Sequence, residues 1–145
     1  MPQLPDDVPA DCFWDLRTTG NKLAVYEIEH DDYLTVERLV AALMLAHRKL
    51  QVIDFAWVEK DVVLALGVTI TTTPAEGVAD AGVSELHRDV ESLTGRSLLG
   101  LAKGFAPTTH RTRYNLPTIK KAIKSSMEND WIAAENVPPD ILKYL

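Results

Sequence analysis

Residues 35–50, TVERLVAALMLAHRKL, contain the longest apolar run of the chain, Leu39 to Ala46. Helical spacing places one set of apolar side chains on a single face, namely Val36, Leu39, Val40, Leu43 and Leu50. Ala42 and Leu45 make the opposite face apolar as well, and such a helix usually lies at the centre of a core. We therefore predict a central helix over residues 35–50. Asp32 or Thr35 can cap its first turn, and the basic residues 47–49 suit its last turn.

Two predicted pairs of strands flank this helix. Residues 12–17 and 23–29 are joined through Gly20-Asn21, which can supply the positive φ angles of a tight hairpin. Residues 53–58 and 62–72 are joined by a short turn at 59–61. The second of these runs alternates with period two and is rich in β-branched residues, with Val62, Leu64, Leu66, Val68 and Ile70 on one face. The sequence therefore predicts two hairpins.

Two more helices are predicted towards the C-terminus. Thr73-Pro74-Ala75-Glu76 has the pattern of a capping box with proline in the first turn, and the helix that follows stops at Thr94-Gly95. Pro117 begins a third helix with Ile119, Ile123, Met127 and Trp131 on one side, and residues 138–140 can start a final turn. The fold class is α+β: an antiparallel sheet from two hairpins in ββαββα order, with helices packed on one face and a C-terminal helical extension.

The length of 145 residues predicts a single domain over residues 1–145. Residues 1–10 form an irregular lead-in, residues 11–94 the ββαββα core, and residues 95–145 a basic connection with the C-terminal helices. Apolar residues make up 46% of the chain and charged residues 25%, which is typical of a globular protein.

Several features predict a cytoplasmic protein. Cys12 is the only cysteine, so a disulfide framework within the chain is excluded. The N-terminus lacks the basic and apolar regions of a signal peptide. No apolar run approaches the roughly 20 residues that cross a bilayer. We expect no membrane partner.

Only one part of the chain carries a net positive charge. Residues 1–94 carry seven Lys/Arg against seventeen Asp/Glu, and residues 125–145 carry one Lys against four acids. Residues 95–124 carry seven Lys/Arg and no acid at all. The net charge of −6 argues against a generic nucleic-acid-binding protein, which tends to be basic overall, but the segregation favours a local binding surface.

No catalytic residue, metal site or cofactor is predicted. Residues 95–104, GRSLLGLAKG, lack the Lys-Ser/Thr that a P-loop needs after its second glycine, and we interpret this segment as an apolar connection. Residues 30–32 and 87–89 each join a histidine to a carboxylate, but capping and a solvated helix face explain them without a metal. Cys12 is interpreted as a structural cysteine.

The candidate partner-binding residues lie in the later half of the basic stretch: His110, Arg111, Arg113, Tyr114, Lys120, Lys121 and Lys124. Arginine forks suit phosphate or carboxylate, and a tyrosine ring can stack on a base. The alternative is that these charges are merely solvated, or pair with acidic residues of the same chain or of a second copy.

Three functions therefore stay open from sequence alone. The first, which the absence of a catalytic constellation favours, is a non-catalytic binding, adaptor or regulatory protein. It would bind a partner protein or a second copy of itself through the basic segment or an open sheet face. The second is a nucleic-acid-binding regulator that contacts phosphates through residues 110–124. The third is a small enzyme with an unassigned site.

Overall fold

A computed structural model describes residues 22–105 and 111–145, apart from the side chains of Phe105 and Arg111. The predictions for the lead-in, for the strand at residues 12–17 with Cys12, and for His110 lie outside these residues. The strands are β1 (Leu23–Tyr26), β2 (Ile53–Ala56), β3 (Thr69–Thr72), β4 (His87–Glu91) and β5 (Arg111–Tyr114). The helices are α1 (Tyr33–His47), α2 (Lys60–Leu64), α3 (Ala81–Ser84), α4 (Gly95–Phe105), α5 (Leu116–Glu128) and α6 (Pro139–Leu142), with a 3₁₀ turn at Ala134–Asn136.

The strands form two antiparallel sheets, which confirms the α+β class. One sheet has the order β1-β4-β3, so that β4 lies between the other two, and β2 pairs with β5 in the second sheet. The order of elements differs from the predicted ββαββα, because in the described part of the chain each strand is followed by a helix. By contacts the chain divides into two compact units, and the prediction of a single domain stays a prediction.

Helix α1 is the buried centre of one unit, which comprises residues 26–54, 72–87 and 113–145. Asp32 caps the helix by accepting hydrogen bonds from the backbone N–H and the hydroxyl of Thr35, at 3.2 and 2.6 Å. Arg48 ends it in the left-handed conformation, with φ 55°. The central helix predicted from the sequence is confirmed. The buried stripe runs through Val36, Val40, Ala41, Met44 and Leu45, whereas Leu39 and Leu43 are only partly buried.

An ion pair between the partly buried Arg38 and the buried Asp80 joins α1 to the start of α3 in the same unit. The guanidinium of Arg38 donates through Nε and Nη2 to the two carboxylate oxygens of Asp80, both at 2.9 Å. Asp80 is 1% exposed and also caps α3 by accepting from the backbone N–H of Val83 at 3.2 Å. The guanidinium carbon of Arg38 lies 4.4 Å from the ring centroid of Trp131. Three separate segments therefore meet at one arginine.

The other unit, of which residues 22–25, 55–71, 88–105 and 111–112 are described, has a core of its own. Its buried members are Leu23, Val63, Val68, Val90, Leu93 and Leu101. Val25, Leu66 and Leu98 pack against this cluster. The predicted strand that starts at Leu23 is confirmed as β1, with Leu23 and Val25 on the core side, although it ends at Tyr26 rather than at Glu29.

The predicted hairpin over residues 53–72 is wrong. Residues 60–64 form helix α2, only residues 69–72 form a strand, and that strand pairs with β4 rather than with β2. Val63 is buried and Leu66 packs beside it at helical spacing, whereas Val62 and Leu64 are exposed. Gly67 then takes φ 76°, which glycine adopts without strain, and this turn separates α2 from the strand.

The helix predicted from Thr73 to Leu93 is also wrong. Only Ala81–Ser84 is helical there, and residues 87–91 form β4. The backbone N–H of Thr73 donates to the carbonyl of His87 at 3.3 Å, and its hydroxyl lies 3.0 Å from the His87 ring. Thr73 therefore pairs with His87, the first residue of β4, and does not cap a helix. Asp80 caps the shorter helix, α3.

Residues 95–104, interpreted from sequence as an apolar connection, lie within helix α4 (Gly95–Phe105). The hydroxyl of Thr94 accepts a hydrogen bond from the backbone N–H of Ser97 at 3.2 Å, and Ser97 Oγ accepts from the backbone N–H of Thr94 at 2.7 Å. This reciprocal cap starts the helix despite its three glycines. Leu101 is buried in the core of its unit, and Leu98 packs against that core.

Within residues 22–105 and 111–145, no helix has the length and apolar content to cross a membrane.

Two arginine–aspartate pairs in the unit that contains α1 and α5 give a prediction about stability. They are Arg38 with Asp80 and Arg113 with Asp54. Replacing Asp80 by Ala leaves the guanidinium of Arg38 inside the fold without its partner and removes the cap of α3. We expect the free energy of unfolding to fall by about 3 kcal/mol. Arg113→Ala removes an equally bidentate pair, with Asp54, whose side chains are exposed, and should change stability little. Urea unfolding followed by circular dichroism measures both, and equal losses would contradict the prediction.

Candidate anion-binding surface

Helix α5 carries three of the seven predicted binding residues, Lys120, Lys121 and Lys124. Its cap is Asn115, whose side-chain oxygen accepts from the backbone N–H and the hydroxyl of Thr118 at 3.1 and 2.9 Å. Pro117 takes a place in the first turn, where its missing N–H costs no hydrogen bond. The helix packs on α1 through the buried residues Ile119, Ala122, Ile123 and Ser126. The helix predicted from Pro117 is thus confirmed, although it ends at Glu128, before Trp131.

The lysines of α5 lie away from this buried face. At 100° per residue, Lys121 points almost directly opposite Ile119 and Ile123, and Lys124 follows one turn later on the same outer side. Both side chains are exposed, and neither forms an ion pair within the part of the chain that the structure describes. Lys120 lies on the flank of the helix and is partly buried.

The chain turns back after α5 and brings a second group of residues to this flank. Asp130 takes the left-handed conformation with φ 58°, and the backbone N–H groups of Trp131 and Ile132 both donate to the carbonyl of Ser126, at 2.9 and 3.2 Å. The segment that follows is anchored by three buried side chains, those of Ile132, Val137 and Ile141. These buried side chains hold the segment that contains helix α6 against the rest of this unit.

Tyr144 follows α6 and is 59% exposed. Lys120 Nζ lies 5.9 Å from its ring centroid and Lys143 Nζ lies 5.0 Å from it, so the ring has an ammonium group from each of two segments beside it. We call Lys120, Lys121, Lys124, Lys143 and Tyr144 the lysine surface.

The carboxylates nearest in sequence to the lysine surface are few and exposed. Glu128 lies one helical turn after Lys124 on the outer side of α5. Asp140 Oδ1 lies 3.8 Å from Lys143 Nζ, with 93% of the aspartate side chain accessible to solvent. Asp130 and Glu135 occupy the connection between α5 and α6. An exposed pair such as that of Lys143 with Asp140 is weak and gives way readily to a stronger anion.

Arg113 of the predicted site is already engaged within the chain. Its Nε and Nη2 donate to the two oxygens of Asp54 at 2.7 and 2.9 Å, across the pair β2 and β5. The hydrogen bonds and the charge of Asp54 raise the pKa of Arg113 above its ordinary value. For this residue, the alternative that the basic charge pairs with an acid of the same chain holds.

Tyr114 is buried, with 8% of its surface exposed. Burial raises the pKa of its phenol, and the negative charges of Glu37 and of the Tyr33 phenolate add to the effect. A base could stack on this ring only if the ring left the core. The role in stacking that the sequence suggested for Tyr114 is therefore unsupported by its position, whereas Tyr144 presents an aromatic ring at the surface. His110 and the side chain of Arg111 lie outside the described part.

Sequence reasoning missed Lys143 and Tyr144, which lie beyond the acid-free stretch. A signal for them exists in the apolar spacing that precedes them. Val137 and Ile141 are four residues apart and both buried, which is the pattern of a segment that packs one side onto a neighbour. That spacing predicts the return towards α5 but not which side chains it brings near Lys120.

The two histidines that the sequence analysis paired with carboxylates have the following contacts. His30 Nε2 lies 3.3 Å from Asp31, with both side chains exposed. His87 Nδ1 lies 2.6 Å from the carbonyl of Thr73, and the ring packs edge-on against Tyr26 with centroids 5.2 Å apart. In residues 22–105 and 111–145, no three His, Cys, Asp or Glu side chains gather where they could hold a metal ion.

Two surface depressions were identified, of about 310 and 290 Å³. Small and apolar side chains with Asn136 line the first, and no titratable group faces it. The second is lined by Ala65, Leu66, Thr94, Arg96 and Ser97, of which only Arg96 is charged. Neither depression has the converging acid, base or nucleophile that catalysis requires.

Comparison of the chain with protein-family models, curated proteins and solved structures found no match.

Two tyrosines, the partly buried Tyr26 and the buried Tyr114, give a prediction for alkaline pH. Burial raises the pKa of both Tyr26 and Tyr114 above 10.0. Because the folded pKa exceeds the unfolded value, their contribution to stability is complete below pH 10.0 and is lost as the pH rises through the folded pKa. In a pH titration, we expect their phenolate absorbance at 295 nm to rise at a higher pH than that of a free tyrosine side chain.

The matched variant is Tyr26→Phe with Tyr114→Phe, which has no phenol to ionise at these positions. Its free energy of unfolding should fall less steeply than that of the parent protein as the pH rises above 10.0. Equal slopes in urea unfolding would show that neither phenol is protected from ionisation.

Proposed function

We propose that this chain is a binding protein that holds a polyanionic partner on the lysine surface. The observation that carries the proposal is the position of Lys121 and Lys124: both are exposed on the side of α5 away from the core, and neither forms an ion pair within the described residues. The proposal assigns no catalytic residue.

The arrangement of charge supports binding over simple solvation. The chain carries an excess of acid, with a net charge of −6, yet the side chains of Lys120, Lys121 and Lys124 lie within about one turn of a helix. Mutual repulsion of neighbouring cations makes such a group mildly unfavourable in the free protein. A partner that carries several negative charges relieves this repulsion and releases its own counterions, and both effects favour association.

The outer side of α5 distinguishes a polyanion from a folded protein partner. It is formed by Pro117, Lys121, Lys124, Ser125 and Glu128, without a large apolar side chain. The buried centre of a protein–protein interface is depleted of lysine and enriched in aromatic and apolar groups. A row of lysines instead meets the requirement of a chain of phosphates or carboxylates, which needs cations and no apolar core.

The test reverses two charges and measures binding to defined polyanions. The probes are a labelled 20-nucleotide single strand, the corresponding duplex, and poly-L-glutamate, each followed by fluorescence anisotropy at several salt concentrations. Lys121→Glu with Lys124→Glu should weaken the binding of the preferred probe roughly tenfold or more. It should also reduce the slope of log affinity against log salt by about two, since two fewer counterions are released.

The matched control is Lys49→Glu with Lys60→Glu, which changes the net charge equally through two exposed lysines outside α5. If the control weakens binding as much as the α5 variant, the effect belongs to net charge and the proposal fails. Absence of binding to all three probes would also overturn it.

A further inference from the structure

We infer that the lysine surface binds single-stranded nucleic acid, with one base stacked on Tyr144 and the neighbouring phosphates held by the surrounding lysines. The inference rests on the proposed function and specifies the chemistry of the partner.

The first argument is the position of the Tyr144 ring. The ring is exposed, but its backbone is not loose, because its N–H donates to the carbonyl of Ile141 at 3.0 Å and Ile141 is buried. Leu142, 46% exposed, precedes it by two residues. An aromatic side chain that is anchored at its backbone and open at its ring forms a stacking platform, and every nucleobase has a π-face that fits one.

The second argument is the placement of ammonium groups around that ring. Lys120 and Lys143 reach within 6 Å of the ring centroid from two different segments, α5 and the turn after α6. The phosphodiester groups on either side of a stacked base lie near the edge of the ring on which it stacks. Both lysines can therefore leave their weak contacts with the ring and pair with those phosphates, as the four-carbon lysine stem is flexible.

The third argument concerns the direction in which the strand continues. Lys121 and Lys124 extend the positive charge from Lys120 around and along α5. A single strand is flexible enough to follow this path after its base has stacked on Tyr144. A duplex keeps its bases paired inside the helix, so it can offer phosphates to the lysines but no free base to the ring. Poly-glutamate likewise offers charge but no ring.

The carboxylates of the surface make a further part of the inference testable. Glu128 is exposed on the same outer side as Lys121 and Lys124, where it repels a phosphate. Glu128→Gln removes that repulsion without a change in size. We expect it to strengthen binding of a single strand by roughly twofold to fivefold at low salt.

The experiment measures the affinity of the full chain for an unstructured 12-nucleotide DNA, the same sequence as RNA, its duplex, and poly-L-glutamate. The single strands should bind at least tenfold more tightly than the duplex and poly-L-glutamate, and the DNA and RNA arms show which sugar is preferred. Tyr144→Leu should lose roughly tenfold for the single strands and almost nothing for the duplex, since it removes only stacking. Tyr144→Phe keeps the ring and should bind as the parent does.

Salt dependence separates the two proposals. Tyr144→Leu removes no charge and should leave the slope of log affinity against log salt unchanged, in contrast to the reversal at Lys121 and Lys124. If the charge reversal weakens binding but the duplex or poly-L-glutamate binds as well as the single strand, or Tyr144→Leu has no effect, this inference is overturned and the proposed function stands. If no probe binds, both are overturned. Tyr144 is exposed, and circular dichroism confirms that its variants fold.

Discussion

The carboxylate of Asp80 is 1% exposed, and Arg38 pairs with it through two hydrogen bonds of 2.9 Å. A buried charge without its partner is strongly unfavourable, so the segments that bring the two groups together are constrained jointly. Arg38 comes from the middle of α1, Asp80 from the start of α3, and Trp131, which covers the guanidinium, from the turn after α5. One arginine thus sets where three parts of this unit lie with respect to each other.

The lysine surface depends on the same constraint. Trp131 lies in the turn after α5, three residues beyond Glu128, and its ring contacts Arg38 where the chain turns back. From there Ile132, Val137 and Ile141 anchor the remaining segment, and Tyr144 is carried to the flank of α5 beside Lys120. The buried side of α5 faces α1, so its lysines are left on the outside. One side of α5 is therefore buried against α1, and the opposite side carries the exposed Lys121 and Lys124.

Apolar spacing in the sequence predicted correctly those helices whose buried residues follow that spacing. It failed where the residues that are buried do not follow the spacing of the sequence. Helices α1 and α5 follow from apolar spacing, the cap at Asp32 and the proline at 117. The apolar alternation of residues 62–70 is typical of a strand, yet residues 60–64 are helical. Val63 is buried in the core there, and Gly67 with its positive φ ends this part of the chain. Thr73 has the pattern of a cap, but pairing with His87 is a long-range contact that local spacing does not encode. The same limit applies to the aromatic residues: local spacing named Tyr114 as a ring that can stack on a base, and it does not encode that Tyr114 is buried while Tyr144 is exposed.

Gly82 lies beside the central ion pair, and a Cβ at this position would stand 2.9 Å from Arg38 Nη2. The end of a free arginine could move aside, but this one is held by both oxygens of Asp80 and cannot yield without breaking the pair. The identity of residue 82 is thus coupled to residues 38 and 80 through space. We therefore expect these three positions to change together as the sequence diverges. An alanine at position 82 is expected where a shorter, uncharged side chain replaces Arg38 and Asp80 is also replaced. A change at one of the three positions alone should destabilise this unit. The residues at positions 38, 80 and 82 therefore indicate whether a distantly related protein has the same interior packing.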